Sequence, residues 1–137
     1  MTFTFIWDEK YSVGVAEIDE QHKKLVATIA KLNEAISKAK SIEKDVKSVL
    51  TELKQYVEVH FSTEEKYFKE FNYEFAEQHI LEHREFAKKI ESFYEKYAGN
   101  EVEISFELID FLEDWLLDHM MTQDRKYMHC FAENGLK

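Results

Sequence analysis

One segment decides the fold of this chain of 137 residues: positions 56–86 read YVEVHFSTEEKYFKEFNYEFAEQHILEHREF. Apolar side chains recur there at the spacing of a helix, first at Val57 and Phe61 and again, beyond Asn72, at Phe86. The segment therefore predicts two helices joined by a short turn. A short connection favours antiparallel packing of the helices that it joins.

The same periodicity extends outward and predicts four helices. Their approximate bounds are 19–38, 42–71, 73–97 and 105–131. The residues proposed to mark helix ends are Asp19, Ser41 and Asn72 as N-caps and Gly99 as a C-terminal signal. The first part of the chain is predicted to be an irregular arm, residues 1–18, with the apolar anchors Phe3, Phe5, Ile6 and Trp7. We expect a single domain over residues 1–137 with an all-α fold, an up-down-up-down antiparallel four-helix bundle that follows the arm.

Composition narrows the class of protein. Proline is absent and glycine occurs three times, which permits long uninterrupted helices. The 28 acidic and 18 basic residues give a formal net charge of −10, which argues against nucleic acid and anionic membrane as partners. The first residues lack the features of a secretory signal and no stretch is long enough to span a bilayer, so we expect a cytoplasmic protein. No second hydrophobic stripe stands out, which favours a monomer.

Histidines are the most informative residues of this sequence. Five of the six lie on or beside the apolar stripes of the predicted helices: His22, His60, His79, His83 and His119. An imidazole that is buried without a partner costs about 1–3 kcal/mol, so five of them would be expensive. A metal ion removes this cost because it binds the nitrogen lone pairs directly. The sixth, His129, is expected at the surface with no metal role.

Spacing along the helices indicates which of these side chains share a face. His79 and His83 are four residues apart, which places both on one face of the third helix. His60 and Glu64 have the same spacing and share a face of the second helix. These two pairs, together with the histidines of the first and fourth helices, predict a metal site inside the bundle.

The fourth helix offers a less regular pair. His119 and Asp124 are five residues apart, which is about 140° around an ideal helix. Geometry alone therefore does not select Asp124. Its competitors for a ligand role are Asp118, Glu113 and Gln123.

The whole pattern resembles the hemerythrin family, particularly its single-domain bacterial members. The matching elements are His22, the pair His60 and Glu64, the pair His79 and His83, the pair His119 and Asp124, the early Trp7-Asp8, and the stretch from Gly14 to His22. The resemblance covers the chain from about Trp7 to Met128 and fills all seven ligand positions of the family at the expected intervals.

This resemblance implies a non-haem centre of two iron ions (Fe²⁺/Fe³⁺) with an oxo or hydroxo bridge. The implied ligands are His79, His83 and His119 for one iron, His22 and His60 for the other, and Glu64 and Asp124 as bridges. Five imidazoles, two bridging carboxylates and the shared oxygen fill all but one position on two six-coordinate irons. The open position lies on the iron with two histidines. Mixed nitrogen and oxygen ligation suits iron better than zinc, while manganese and cobalt stay open.

Dioxygen is the partner that the resemblance implies, bound reversibly for storage, transport or delivery, without catalytic residues or enzymatic activity. The apolar pocket beside the open position is implied to contain Leu25, Phe61, Trp115, Leu116 and Met120. A dry pocket without a general acid disfavours release of peroxide and O–O cleavage.

Two alternative functions remain open at this point. One is a di-iron oxidase or iron-handling protein of the ferritin-like kind, whose sites use Glu-x-x-His pairs. No histidine of this chain has a glutamate three residues before it, which disfavours this alternative. The other is an oxygen or redox sensor module that acts through a separate partner. Outside the site, Cys130 is expected to be a small apolar residue or an idle thiol, and Glu65 to belong to a solvated helix face.

Overall fold

The computed structural model describes residues 6–37, 43–97 and 102–137. Over these ranges the chain forms four long helices, two short helices and one turn of 3-10 helix, without a β-strand. The helices are α1 (Ala16–Ser37), α2 (Glu43–Glu70), α3 (Ala76–Tyr97), α4 (Val102–Met121), α5 (Gln123–Lys126) and α6 (Met128–Glu133), and the 3-10 turn is Glu9–Tyr11. Each long helix contacts the next one along the chain, and α4 closes the ring against α1. The predicted all-α four-helix bundle is confirmed.

The first helix begins earlier than predicted. It starts at Ala16, so the prediction that Asp19 caps its N-terminus is wrong. The Asp19 carboxylate reaches back to the arm instead. It accepts hydrogen bonds from the Ser12 hydroxyl at 2.5 Å and from the Val13 amide at 2.9 Å. These bonds tie the arm to the first turn of α1.

The turn between α2 and α3 also differs from the prediction. Helix α2 ends at Glu70 and α3 begins at Ala76, so Asn72 does not cap α3. Asn72 has a φ of 53°, in the left-handed region that asparagine adopts more readily than most residues, and it reverses the chain after α2. Phe75 precedes α3, and its side chain is 51% exposed.

The predicted fourth helix is interrupted. Helix α4 ends at Met121, and Thr122 adopts a φ of −117° and a ψ of −72° before the short helices α5 and α6. The chain beyond Thr122 therefore does not continue the rotational phase of α4.

Aromatic side chains attach the N-terminal arm to the bundle. Tyr11 is buried, and the Trp7 ring meets it edge-on with 5.7 Å between ring centroids. The ammonium group of Lys23 on α1 lies 5.5 Å from the centre of the Trp7 ring. The predicted anchor Ile6 is 71% exposed, so that prediction is wrong. Four further predicted positions lie outside the described residues: Phe3, Phe5, Ser41 and Gly99.

Two apolar clusters fill the bundle on either side of a polar layer. The larger includes Leu32 and Leu53, and the smaller includes Ile18 and Phe131. The polar layer lies near the starts of α1 and α3 and near the ends of α2 and α4, as expected for antiparallel neighbours. None of the described helices is both long and apolar enough to cross a membrane.

Candidate metal centre

The polar layer brings together all seven side chains that the sequence analysis singled out as metal ligands. Each of these side chains is at most 2% exposed. Their ligand atoms form two groups, and within each group all atoms lie within 4.8 Å of one another. The first group is Glu64, His79, His83 and His119, and the second is His22, His60, Glu64 and Asp124. Glu64 belongs to both groups, so the two potential metal positions are adjacent.

Helix periodicity places one carboxylate between the two groups. His60 and Glu64 lie one turn apart on α2, so both side chains point into the bundle. The Glu64 Oε1 atom is 3.4 Å from Nε2 of His60 and 3.1 Å from Nε2 of His83. Glu64 therefore contacts one histidine of each group.

Asp124 also contacts one histidine of each group, and the break at Thr122 brings its side chain to them. Its Oδ2 atom is 3.1 Å from Nε2 of His22, and its Oδ1 atom is 3.1 Å from Nε2 of His119. On an unbroken helix, Asp124 and His119 would point about 140° apart. The competing candidates Asp118 and Glu113 lie outside both groups, and Gln123 is only half-buried.

The unpaired polar atoms of this layer fit a bound cation. Among the described residues, both carboxylate oxygens of Glu64 and of Asp124 and the Nε2 atom of His83 are buried without a hydrogen-bond partner. The Nε2 atoms of His22 and His60 face each other at 3.0 Å, where a proton on one ring leaves the other ring only its lone pair. Buried carboxylates cost several kcal/mol unless positive charge compensates them, and coordination of a metal cation supplies that compensation. Five imidazole nitrogens with two carboxylates suit a transition metal of the iron type.

Protonation in the metal-free site follows from burial and from the crowding of charges. Burial lowers the pKa of His60 to about 3, so this ring is neutral and offers a lone pair. Burial and Asp124 raise the pKa of Glu64, but the surrounding imidazoles outweigh them and hold it below its usual range. Burial lowers the pKa of His79, yet contact with the two carboxylates raises it to about 9. Metal binding therefore displaces a proton from the site.

Three polar side chains outside the seven contact the outward nitrogens of the histidines. Gln21 Oε1 lies 2.8 Å from Nδ1 of His60, Glu65 Oε2 lies 2.9 Å from Nδ1 of His83, and Glu82 Oε1 lies 3.5 Å from Nδ1 of His119. The prediction that Glu65 belongs to a solvated face is wrong for its carboxylate. Sequence reasoning gave no role at the site to Gln21, which it noted only within the stretch that carries the resemblance, or to Glu82. The one signal for all three is that each is adjacent in sequence to a candidate ligand.

A small apolar cavity lies against the histidine layer. Its volume is about 10 Å³, the space of a single water-sized molecule. It is lined by Leu25, Ile29, Leu53, Val57, Phe61, Phe86, Trp115 and Leu116, which includes four of the five residues predicted for the pocket. The fifth, Met120, is buried in the same core but does not line this cavity.

Aromatic rings that line the cavity stack on two of the histidines. Phe61 stacks on His83 with 3.7 Å between centroids and 4° between planes. Trp115 stacks on His119 at 4.3 Å and 14°. Phe61 also lines an open surface groove of about 720 Å³, so this ring stands between the groove and the cavity.

The two remaining candidates of the sequence lie outside the site. His129 is 85% exposed and its Nε2 atom is 2.9 Å from Glu133 Oε1. Cys130 is half-buried, and burial raises the pKa of its thiol, so the reactive thiolate is disfavoured.

Comparison with known proteins connects this geometry to a family. The family model described as the hemerythrin HHE cation binding domain matches residues 13–130. The chain belongs to the hemerythrin family. A bacteriohemerythrin of Clostridium acetobutylicum is 33% identical over 127 residues, covering 90% of this chain and 98% of that protein. A hemerythrin-like protein of Naegleria gruberi is 33% identical over 123 residues, covering 90% of each chain.

Hemerythrin structures share the fold as well. The crystal structure of wild-type hemerythrin superimposes with a TM-score of 0.83 at 25% identity, covering 96% of this chain and 98% of that one. All seven candidate ligands, from His22 to Asp124, lie within the residues that the hemerythrin family model matches.

Proposed function

We propose that this chain binds dioxygen reversibly at a non-haem di-iron centre, for oxygen storage, transport or delivery. One observation carries the proposal: seven buried ligands form two groups that share Glu64, and two rings that stack on their histidines, Phe61 and Trp115, also line an apolar cavity. Membership of the hemerythrin family supports the same conclusion.

The ligands divide into a three-histidine and a two-histidine position. We assign one iron to His79, His83 and His119, the other to His22 and His60, and the bridging role to Glu64 and Asp124. Bridging by both carboxylates is supported by their contacts, because each carboxylate touches histidines of both groups. With a solvent-derived oxo or hydroxo bridge, this set would leave one position open on the iron held by His22 and His60.

When bound, the pair of irons supplies two electrons and one open coordination position to dioxygen. The side chains of the cavity keep water and proton donors away from that position. Leu25 lies about one helical turn after His22, and the Phe61 ring, which stacks on His83, has its centroid 5.8 Å from that of His60, so apolar side chains lie beside both positions. The cavity lining contains no acidic or basic group. We therefore propose reversible carriage rather than enzymatic turnover, because bond cleavage in dioxygen requires delivered protons.

The decisive experiment is an anaerobic reconstitution with ferrous iron, followed by visible spectra before oxygen, after oxygen and after sparging with argon. We expect a charge-transfer band that appears with oxygen and disappears on its removal. His60→Ala, which removes a ligand of the two-histidine position, is expected to abolish the band. His129→Ala is the matched control, because this exposed ring touches neither group, and it should leave the band unchanged. Irreversible oxidation without such a band, or steady consumption of a reductant by oxygen, would refute carriage and favour a di-iron oxidase.

The cytoplasmic location and the monomeric state stay predictions. Light scattering of the purified iron-loaded protein tests the monomer, for which a mass near 16.4 kDa is expected.

A further inference from the structure

The outward nitrogen of one histidine in each position is held by a different kind of partner. In the two-histidine position, Nδ1 of His60 faces the neutral amide of Gln21 at 2.8 Å. In the three-histidine position, Nδ1 of His83 faces the carboxylate of Glu65 at 2.9 Å. Outer partners of this type fix the orientation of a ligating imidazole and alter its basicity.

The orientation of the Gln21 amide is determined by a chain of hydrogen bonds. The Thr63 hydroxyl donates to the carbonyl of Val59 at 3.0 Å, so its oxygen is left to accept. Gln21 Nε2 donates to that oxygen at 3.0 Å, which turns the amide oxygen toward His60. The Nδ1 of His60 must then be the donor, and its Nε2 presents a lone pair to the centre.

Glu65 produces the same tautomer by a different means. A carboxylate only accepts, so Nδ1 of His83 carries the proton and Nε2 faces the centre as a lone pair. Glu65 differs from Gln21 in its negative charge. A second carboxylate, that of Glu82, lies 3.5 Å from Nδ1 of His119 in the same three-histidine position. In the part of the chain that the structure describes, the Nδ1 atoms of His22, His79 and His119 have no hydrogen-bond partner, so Gln21 and Glu65 are the two side chains that hold an outward nitrogen by a hydrogen bond.

We infer that Glu65 and Gln21 are positioning residues that make the two metal positions electrostatically unequal. Glu65 makes His83 a more electron-rich ligand, which favours the higher charge state of the metal in the three-histidine position. Gln21 orients His60 equally well but adds no charge, so the metal beside the open position is less readily stabilised in its oxidised form. This inference rests on the proposed function, for which an easily reversed oxidation of that metal is needed.

Two isosteric substitutions test the inference. Glu65→Gln removes the charge and keeps an acceptor, and Gln21→Glu adds a charge at the neutral contact. The matched controls are Glu58→Gln and Gln55→Glu, which make the same changes of charge at exposed positions of α2. The readout is the midpoint potential of the iron-loaded protein, titrated under argon with soluble mediators, so that each electron removed from iron reduces the added oxidant.

We expect Glu65→Gln to raise the midpoint potential and Gln21→Glu to lower it. A tenfold change in the preference for ferric over ferrous iron corresponds to about 59 mV per electron. The controls should shift it far less. Potentials of both test variants within the range of the controls would overturn the inference. Because the redox titration is carried out without oxygen, the midpoint potentials can be interpreted even if the protein does not bind oxygen reversibly.

A second measurement does not depend on iron redox chemistry. Metal-free protein is titrated with Co²⁺ alone, and the two binding steps are resolved by calorimetry. We expect Glu65→Gln to weaken one of the two steps by about 10- to 100-fold, with Glu58→Gln unchanged. Two steps of unaltered affinity in folded Glu65→Gln protein would contradict a positioning role for Glu65.

Discussion

Removing one leucine from the lining of the apolar cavity should shorten the lifetime of the oxygenated protein. Leu25 is 2% exposed and lines the cavity, about 4.5 Å along the α1 axis from His22. Leu32 on the same helix is 0% exposed and does not line the cavity, about 15 Å along the axis from His22. Leu25→Ala and Leu32→Ala therefore remove the same atoms at different distances from the metal centre.

Both substitutions should cost similar stability and only one should affect oxygen. A buried leucine replaced by alanine loses about 3–5 kcal/mol, which lowers the melting temperature by roughly 10–20 °C for a domain of this size. In Leu25→Ala, the enlarged cavity lets water approach the open position. A hydrogen bond from this water that stabilises the transition state of irreversible oxidation by about 1.4 kcal/mol accelerates that oxidation about tenfold.

The assay is the decay of the oxygenated absorption band at 10 °C, where both variants are expected to be folded, with the melting temperature measured on the same samples. We expect about tenfold faster decay for Leu25→Ala and decay near the unsubstituted rate for Leu32→Ala. Equal acceleration in both variants would refute the reasoning, because it would attribute the effect to lost stability rather than to the dry cavity.

Three further outcomes follow from the structure. Chelation should lower the free energy of unfolding by about 2.7 kcal/mol for each of the two metal positions, relative to protein at a free metal concentration of 100 times Kd, and chemical denaturation with and without chelator measures this. Asn72→Ala should cost about 1 kcal/mol in the same assay, because alanine lacks asparagine's tolerance of a φ of 53°, whereas Asn72→Gly should cost nothing. The hydrogen bond from Tyr67 to Glu17 raises the pKa of Tyr67 to about 12, so its stabilisation is complete below pH 10 and is lost as the pH rises through 12. The difference in unfolding free energy between the unsubstituted protein and Tyr67→Phe, expected to be below about 1 kcal/mol, should therefore shrink over that interval, and a constant difference would contradict this assignment.

The inward ligands could be predicted from the sequence wherever one helix determines their geometry. His60 with Glu64 and His79 with His83 are each four residues apart, and this spacing alone places each pair on one face. The rotation of each helix follows from its apolar stripe, since the stripe must face the core. Regular helix geometry therefore accounts for most of the candidate site.

The outer partners could not be predicted in this way, because they act between helices. Gln21 belongs to α1 but contacts His60 on α2, and Glu65 belongs to α2 but contacts His83 on α3. Which side chain meets an outward nitrogen depends on the relative height and rotation of two helices. The spacing within one helix does not contain that information, and a glutamate at the edge of an apolar stripe resembles any solvated glutamate.

Asp124 shows how a ligand can depend on packing elsewhere in the fold. No glycine or proline marks the break at Thr122, whose hydroxyl donates to the carbonyl of Asp118 at 2.7 Å, a contact that tends to bend helices. The larger contribution to the change of chain direction comes after the break. There Tyr127 and Phe131 are fully buried, and their rings stack with 4.3 Å between centroids. A straight continuation of α4 would carry both rings away from the smaller apolar cluster. Burial of these two rings therefore redirects the chain, and the redirected chain carries the Asp124 carboxylate to the centre.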